Sequence, residues 1–214
     1  KTTWAFKPKD DKFAKDALLD LRYLNEKTAG QSGFVRRTAD GNDFALGDGT
    51  PVRFWAVGSD VYRKSPAEMD RHARFLAKIG VNMVRMHASI YSKSKTSKIT
   101  DVNDKEIDGI FRMVAALKKQ GIYATISPFW AHVTAPPSWG IEGYANAQPW
   151  GVMFFNEKLQ AGYKAWMKEL YTRKNPYTGL ALKDEPAVAI IQIKNEDSLL
   201  FWTMQGLKAP QKRL

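Results

Sequence analysis

The strongest constraint on the fold is a repeated order in which a predicted helix ends at a glycine and a short apolar segment follows at once. One predicted helix ends at Gly80 and is followed by residues 81–87, and a second ends at Gly121 and is followed by residues 122–128. A glycine after the last turn commonly terminates a helix, and a short apolar run bounded by turn residues is typical of a buried strand. Both segments are therefore predicted strands that directly follow helices.

The same alternation extends over most of the chain. Apolar segments at residues 54–58 and 187–193 are two further predicted buried strands, and a third helix is predicted over about 156–173. Strands that alternate with helices pair in parallel through right-handed crossovers. This order fits either an open doubly wound sheet or a (β/α)8 barrel. No glycine-rich phosphate-binding turn follows any strand, which argues against a nucleotide-binding open sheet.

We therefore predict an α/β chain of the (β/α)8 TIM-barrel type, of which about the first four of eight βα units are present. An N-terminal β-hairpin is predicted ahead of them, because Asp40-Gly41 and Asp48-Gly49 are strong turn signals between short segments. A helix is predicted over residues 10–25 from its apolar periodicity. These features divide the chain into an N-terminal helical extension, residues 1–33, and a partial barrel domain, residues 34–214.

Two barrel helices have well-specified bounds in the sequence. The segment Ser65-Pro66-Ala67-Glu68 is a capping box with proline at the first helical position, so a helix is predicted to begin there. The next helix is predicted over about 104–120, with an apolar face at helical spacing.

Composition narrows the classes of partner. Lysine and arginine outnumber the acidic residues 33 to 22, a formal net charge of +11, but the basic residues are dispersed and line neither one helix nor an aromatic platform. No apolar run approaches the roughly 20 residues that a membrane helix needs. The chain has no cysteine, and its three histidines lack the close pairing of a zinc site. We expect no nucleic-acid partner, no membrane partner, no metal and no cofactor.

Polar or aromatic residues follow all four predicted strands. In a barrel the carboxyl ends of the strands converge on one face, where barrel enzymes hold their active sites. The last strand is the most informative, because its apolar run changes abruptly into a polar cluster at Lys194. In chain order the residues at or just after the strand ends are Ser59, Asp60 and Tyr62; Arg85 and His87; Trp130 and His132; and Asn195 and Glu196. Their shared position predicts a single site.

The last pair of residues suits acid–base chemistry. Glu196 fits a general acid/base that protonates a leaving oxygen and later activates water. The alternative is a carboxylate at a helix N-terminus, where the helix dipole stabilises it. Asn195 fits a donor to a sugar hydroxyl, or a cap for the following turn. Neither a Gly-x-Ser-x-Gly turn nor a cysteine nucleophile is present, so the commonest other hydrolase mechanisms lack their main residue.

Three further residues are candidates for the same site. Arg85 follows buried strand residues, and a buried arginine needs a carboxylate partner. It therefore either keeps a catalytic glutamate ionised or forms a structural ion pair. His87 and His132 fit hydrogen-bonding contacts to a substrate, or histidines with a purely structural role.

The long loop over residues 129–155 contains Trp130, Trp139 and Trp150. Loops of this length are usually functional or disordered, and this one is too aromatic for disorder. Indole faces stack well on the apolar faces of sugar rings, so Trp130 and Trp139 are candidate substrate contacts. The alternative is a loop folded on its own aromatic residues. Trp166 lies at helical core spacing and is predicted to be a packing residue.

With these residues in hand, the chain resembles the clan A glycoside hydrolases, near the family 5 cellulase and mannanase group. The resemblance runs from FVRRTADGNDFALGDGTPVRFWAVGSD through GVNMVRMH and QGIYATISPFWAH to IIQIKNED, roughly residues 34–200. The Asn–Glu pair after the apolar fourth strand is its most specific element. By resemblance Glu196 is the acid/base, and Asn195 contacts the sugar hydroxyl beside the scissile bond.

The resemblance also gives roles to the other candidates. It implies that Arg85 supports the nucleophile and that His132 is the family's strand-three histidine, with His87 a further site residue. It implies a second catalytic glutamate, the nucleophile, at the end of strand seven, about 5–5.5 Å from the first carboxyl group. No acid of this sequence stands at that position. Gly58-Ser59 also departs from the pattern, because many relatives have an asparagine near the end of strand one.

The sequence therefore predicts a retaining glycoside hydrolase that cleaves O-glycosidic bonds in a β-linked poly- or oligosaccharide. It is expected as an N-terminal fragment or chain that lacks the nucleophile and is inactive without the C-terminal half. A half-barrel has two open strand edges, so we expect a complementary chain or self-association. The alternative is a non-catalytic carbohydrate-binding half-barrel for an anionic polysaccharide. We expect a secreted or periplasmic protein.

Overall fold

A small antiparallel sheet precedes the barrel strands in the computed structural model, which describes residues 3, 13, 16, 17, 19–128, 134–149 and 151–197. Its three strands are β1 (Arg36–Arg37), β2 (Phe44–Ala45) and β3 (Pro51–Val52), paired in that order. Both Asp-Gly pairs lie in the connections, with φ of 74° at Gly41 and 92° at Gly49. Glycine adopts this left-handed backbone readily, so the turn chemistry of the sequence explains the hairpin, and that prediction is confirmed.

Four parallel strands form the central sheet. They are β4 (Ala56–Gly58), β5 (Met83–His87), β6 (Tyr123–Ser127) and β7 (Val188–Ile191), and they pair in chain order. This arrangement is the first half of a TIM barrel, as the sequence predicted. All four carboxyl ends therefore meet at one edge of the sheet, where barrel enzymes place their chemistry.

Three helices connect these strands: α1 (Pro66–Lys78), α2 (Asp104–Lys118) and α3 (Glu157–Thr172). The predicted capping box is present at α1, where the Ser65 hydroxyl accepts from the Glu68 amide and the Glu68 carboxylate accepts from the Ser65 amide. The side chains of Asn103 and Asn156 cap α2 and α3, where each accepts from one amide of the first turn. Each cap satisfies amides that the first turn leaves unpaired.

The main core lies between these helices and the sheet. Side chains such as Leu76 of α1, Leu117 of α2 and Trp166 of α3 are almost fully buried there. Each large apolar side chain buried in this way contributes about 1.5–3 kcal/mol to folding. Trp166 is 1% exposed, so its predicted packing role is confirmed. No helix in the described ranges is long and apolar enough to cross a membrane.

Two predictions about the N-terminal part of the chain are wrong. The first predicted strand is not buried: it is shorter than expected, and the Trp55 side chain just before it is 66% exposed. The physical reason is that β4 is an edge strand of the described sheet, with only β5 beside it.

The helix predicted over residues 10–25 also does not form over its described part from residue 19 onward, which contains only the 3-10 turn Arg22–Leu24. The Leu21 amide bonds to the Lys78 carbonyl at 2.8 Å, so this backbone docks on the end of α1 instead of coiling. Residues 10–12, 14, 15 and 18 lie outside the described residues.

The described segment over residues 21–32 covers the amino-terminal end of the sheet. The Ala29 amide donates to the Lys118 carbonyl at 2.9 Å, and the Tyr123 hydroxyl donates to the Glu26 carboxylate. A side chain at Gly30 would place its Cβ 2.5 Å from the Pro186 Cβ, so this close approach requires glycine. The amino-terminal end is thus closed by packing, and the carboxyl end remains for function.

Candidate active site

Strand register brings the candidate residues to one edge of the sheet. Arg85 on β5 lies opposite Gly58 on β4 and Thr125 on β6, and Thr125 lies opposite Ile190 on β7. Two residues further along β5, His87 lies opposite Ser127. The segment over residues 192–197 then follows β7 at the same edge. Residues more than a hundred positions apart in sequence are therefore neighbours in space.

Arg85 is the centre of a polar network between β5 and the segment after β7. Its Nε donates to Gln192 Oε1 at 2.8 Å, and its Nη2 donates to Asn195 Oδ1 at 2.5 Å. The Gln192 amide also donates to the Lys194 carbonyl at 3.1 Å. Asn195 is buried, with 5% of its surface exposed. The structure therefore unites Arg85 and Asn195, as predicted, and fixes the asparagine side chain with a charged donor.

The hydrogen-bond partners of Arg85 differ from the predicted carboxylate. A buried arginine was expected to face a carboxylate, but among the described residues its hydrogen bonds go to two amide oxygens, one from Gln192 and one from Asn195. Arg85 is only half-buried, so water reduces the cost of its charge. No structural ion pair is formed there within the described part of the chain. Because an arginine side chain is always charged, a positive charge lies at the strand ends.

Glu196 is exposed at this edge and has an unusual backbone. Its φ is 50°, in the left-handed region, which costs a residue with a side chain about 1–2 kcal/mol. Such strain persists only where the surroundings impose it, and it is concentrated at functional sites. The alternative interpretation requires a helix that begins at Glu196, and residues 198–200 lie outside the described residues.

His87 is close enough to the same carboxylate to be affected by its charge. Burial and the positive charge of Arg85 lower the pKa of His87 below 6.5, while the negative charge of Glu196 acts in the opposite direction. The backbone of His87 is also fixed by a hydrogen bond, which the Tyr62 hydroxyl donates to the His87 carbonyl at 2.9 Å. A histidine with a lowered pKa is neutral at pH 7, so it offers a hydrogen bond without adding charge.

Trp139 was predicted to contact a substrate, but its side chain is not available to one. Its side chain is 0% exposed and packs against Tyr91 and Trp166, with ring centroids 5.5 Å away in both cases. The 3-10 turn Pro137–Trp139 ends at the left-handed Gly140, and the indole lies in the main core. Trp139 is therefore a core residue, although its aromatic partners belong to other parts of the chain and not to the loop over residues 129–155. Trp130 and His132, and also Trp150, lie outside the described residues.

The structure adds three residues that sequence reasoning did not assign to the site: Gln192, Lys194 and Asp197. Gln192 holds Arg85, and its signal in the sequence is a polar residue that interrupts the apolar run of β7. Lys194 forms an ion pair with Asp197, whose side chain is completely buried. Burial lowers the pKa of Lys194, and the hydrogen bond to Asp197 partly opposes this. The two charges lie on either side of the Asn–Glu pair, where the sequence shows only a polar cluster.

The fold and the strand-end network define the class of molecule: the first half of a (β/α)8 barrel with an amide–guanidinium–carboxylate cluster at its carboxyl edge. Solved structures with this fold include an endo-1,4-β-mannanase from Rhizomucor miehei, with 18% identity and a TM-score of 0.57 over 77% of this chain and 48% of that chain. A glycoside hydrolase family 5 mannosidase (E301A mutant) from the same organism gives 16% identity and a TM-score of 0.60 over 78% and 49%.

A third similar structure is the endo-β-1,4-mannanase of Thermotoga petrophila, with 16% identity and a TM-score of 0.54 over 67% of this chain and 35% of that chain. No family model matches the sequence. No curated protein matches it either. The chain spans at most about half the length of these three solved structures. The expected resemblance to family 5 glycoside hydrolases is thus confirmed at the level of the fold.

Proposed function

We propose that this chain is the first half of the catalytic barrel of a retaining β-glycoside hydrolase, with Glu196 as the acid/base. One observation carries the proposal: an exposed carboxylate with strained backbone stands at the carboxyl end of β7, next to a buried asparagine that Arg85 holds. The Glu196 side chain is exposed and gains little from packing, so its costly conformation does not serve its own burial. Catalysis accounts for surroundings that impose it, because catalysis needs the carboxylate at a fixed place.

Each residue has a role in the proposed reaction. Glu196 protonates the leaving oxygen in the first step and accepts a proton from water in the second. Asn195 commits its oxygen to Arg85, which leaves its amide hydrogens for a sugar hydroxyl beside the scissile bond. The positive charge of Arg85 favours the ionised form of a second carboxylate, the nucleophile, and the neutral His87 donates to the substrate.

The nucleophile belongs to the part of a barrel that this chain does not contain. A retaining site holds its two carboxyl groups about 5–5.5 Å apart, so the second one must come from strands that complete the barrel across the open face. The chain alone is therefore expected to be inactive. The substrate class is a β-linked polysaccharide, and β-1,4-mannan is the first to test, because the similar structures are named as mannanases and mannosidases.

The experiment compares the chain alone with a fused barrel, in which it is joined to the second half of the Rhizomucor miehei endo-1,4-β-mannanase. We expect no turnover of aryl β-glycosides or mannan by the chain and clear turnover by the fused barrel. Glu196→Gln should reduce the turnover of mannan by about 10²–10⁴-fold, the usual contribution of a general acid/base. Turnover by the chain alone that survives Glu196→Gln would refute the proposal. Sugar binding without turnover in a folded fused barrel would favour the carbohydrate-binding alternative.

A further inference from the structure

The segment after β7 is fastened to the rest of the molecule by a buried pair of charges. Lys194 and Asp197 form an ion pair three residues apart, with side chains that are 13% and 0% exposed. Asp197 Oδ1 also accepts from the Gly151 amide at 2.9 Å, in the loop that precedes α3. Lys194 Nζ lies 3.8 Å from the centre of the Phe154 ring, a cation–π contact. We call these four residues the Lys194 clamp.

The surface that receives this pair is itself fixed to α3. The Gln160 side chain donates to the Met153 carbonyl at 2.9 Å and to the Phe154 carbonyl at 3.2 Å. The Tyr163 hydroxyl donates to the Ile193 carbonyl, which holds the exit of β7 to the same helix. The Lys194 clamp therefore joins the residues around Glu196 to a rigid element of the barrel.

Glu196 lies inside the turn that the ion pair closes. Because Lys194 and Asp197 meet at their side chains, the backbone between them must bend sharply, and Glu196 is the residue with left-handed φ, 50°. The pair itself is remote from any sugar, since Asp197 is buried and its oxygens already bond to Gly151 and Lys194. Its geometry thus acts on Glu196 and not on a substrate.

We propose that Lys194 and Asp197 are positioning residues, which hold the Glu196 carboxylate beside His87 at the strand ends. This inference rests on the proposed function for its catalytic meaning, but the geometry it predicts is measurable without turnover. A merely structural ion pair would stabilise the fold and leave the position of the Glu196 carboxylate unchanged. A positioning pair would fix that position, so its removal would separate Glu196 from His87.

The pKa of His87 reports this separation. The charged groups that act on His87 are Arg85, which lowers its pKa, and Glu196, which raises it. Side-chain NMR of the full chain gives the His87 pKa with and without Glu196→Gln, and the difference is the coupling between the two residues. We expect Glu196→Gln to lower the His87 pKa in the parent chain. The same substitution should have no effect when Asp197→Ala is also present.

Two further variants complete the experiment. Lys194→Met removes the charge pair but keeps an apolar chain over Phe154, so it carries the test if Asp197→Ala does not fold, and we expect it to abolish the coupling as well. Asp184→Ala is the matched control, because it removes an exposed pair with Lys183, both side chains 53% exposed, and should preserve the coupling.

The proposal is overturned if Glu196→Gln shifts the His87 pKa equally in the parent and in the Asp197→Ala and Lys194→Met backgrounds, even when their thermal stability falls. It is also overturned if Glu196→Gln causes no shift in the parent chain, because Glu196 would then not be held beside His87. Neither result depends on catalysis, so the outcome is distinguishable from a failure of the proposed function.

Discussion

At the scale of single residues, the site combines an exposed carboxylate with buried polar neighbours in the chain. Asn195 and Asp197 are buried on either side of Glu196, which is exposed and left-handed. In the proposed mechanism the exposed carboxylate reacts, and its buried neighbours do not. Because Glu196 bears the conformational cost, the backbone at this position is where a stability measurement detects the strain directly.

We expect Glu196→Gly to unfold with a higher free energy than Glu196→Ala, by about 1 kcal/mol, because only alanine has a Cβ that opposes a left-handed φ. Urea unfolding of both variants measures the difference. At Lys164, on the exposed face of α3, the order should reverse by about 1 kcal/mol, since alanine is the better helix former. Equal stabilities at position 196 would show that its backbone is not strained.

At the scale of elements, the sequence predicted best what local chemistry decides. The Ser65 capping box, the glycine turns and the apolar faces of α1, α2 and α3 each act within a few residues, and each appears as predicted. Long-range contacts decide the rest. Trp139 is buried because Tyr91 and Trp166 receive it, and Leu21 leaves the helical pattern because its amide bonds to Lys78.

For the candidate site, the sequence likewise predicted the positions of several residues but not their long-range partners. The strand-end rule gave the position of Arg85, His87, Asn195 and Glu196, because parallel strands bring their carboxyl ends together. It could not give the role of Asp197, whose partner amide at Gly151 is 46 positions away in sequence. It also could not give the exposure of β4, which depends on whether a second neighbour is present.

A contact between α1 and the residue after β4 predicts that the free energy of unfolding depends on pH. His72 of α1 lies 3.1 Å from the Ser59 hydroxyl, just after β4, and burial lowers its pKa below 6.5. Well above pH 6.5 the imidazole is neutral in both the folded and the unfolded chain. As pH falls below that value the unfolded chain takes up the proton first, so the free energy of unfolding decreases.

The measurement is urea unfolding at pH 7.5 and at pH 5.5, a range above the titration of ordinary carboxyl groups. We expect the parent chain to lose stability over this interval and His72→Gln, which keeps a hydrogen-bonding side chain toward Ser59, to lose less. His87 shifts in the same direction and accounts for part of the remaining loss. Identical losses in the parent and in His72→Gln would contradict the assignment.

At the scale of the whole molecule, the described sheet has two open edges, β4 and β7. Apolar side chains lie beside both of them, with Trp55 66% exposed near β4 and Ile193 70% exposed after β7. Unpaired strand edges with exposed apolar groups favour association with another chain. The same edges are where the remaining strands of a complete barrel would pair.

We therefore expect the isolated chain to exceed the monomer mass in light scattering. The double substitution Ile191→Lys and Ile193→Lys should shift it toward the monomer, because charge on an edge strand opposes pairing. Leu19→Lys with Leu24→Lys is the matched control, since these leucines are 53% and 63% exposed but belong to neither edge strand, and it should have little effect. A stable monomer for the unsubstituted chain would contradict this expectation.

The most direct test of the acid/base assignment is the leaving-group dependence of Glu196→Gln in the fused barrel. A general acid matters most when the leaving oxygen is strongly basic and least when it departs without a proton. We predict a loss of about 10²–10⁴-fold in kcat/KM for mannan, and a far smaller loss for an aryl β-mannoside with a strongly acidic phenol. Equal losses for both substrates, or no loss for mannan, would contradict the account.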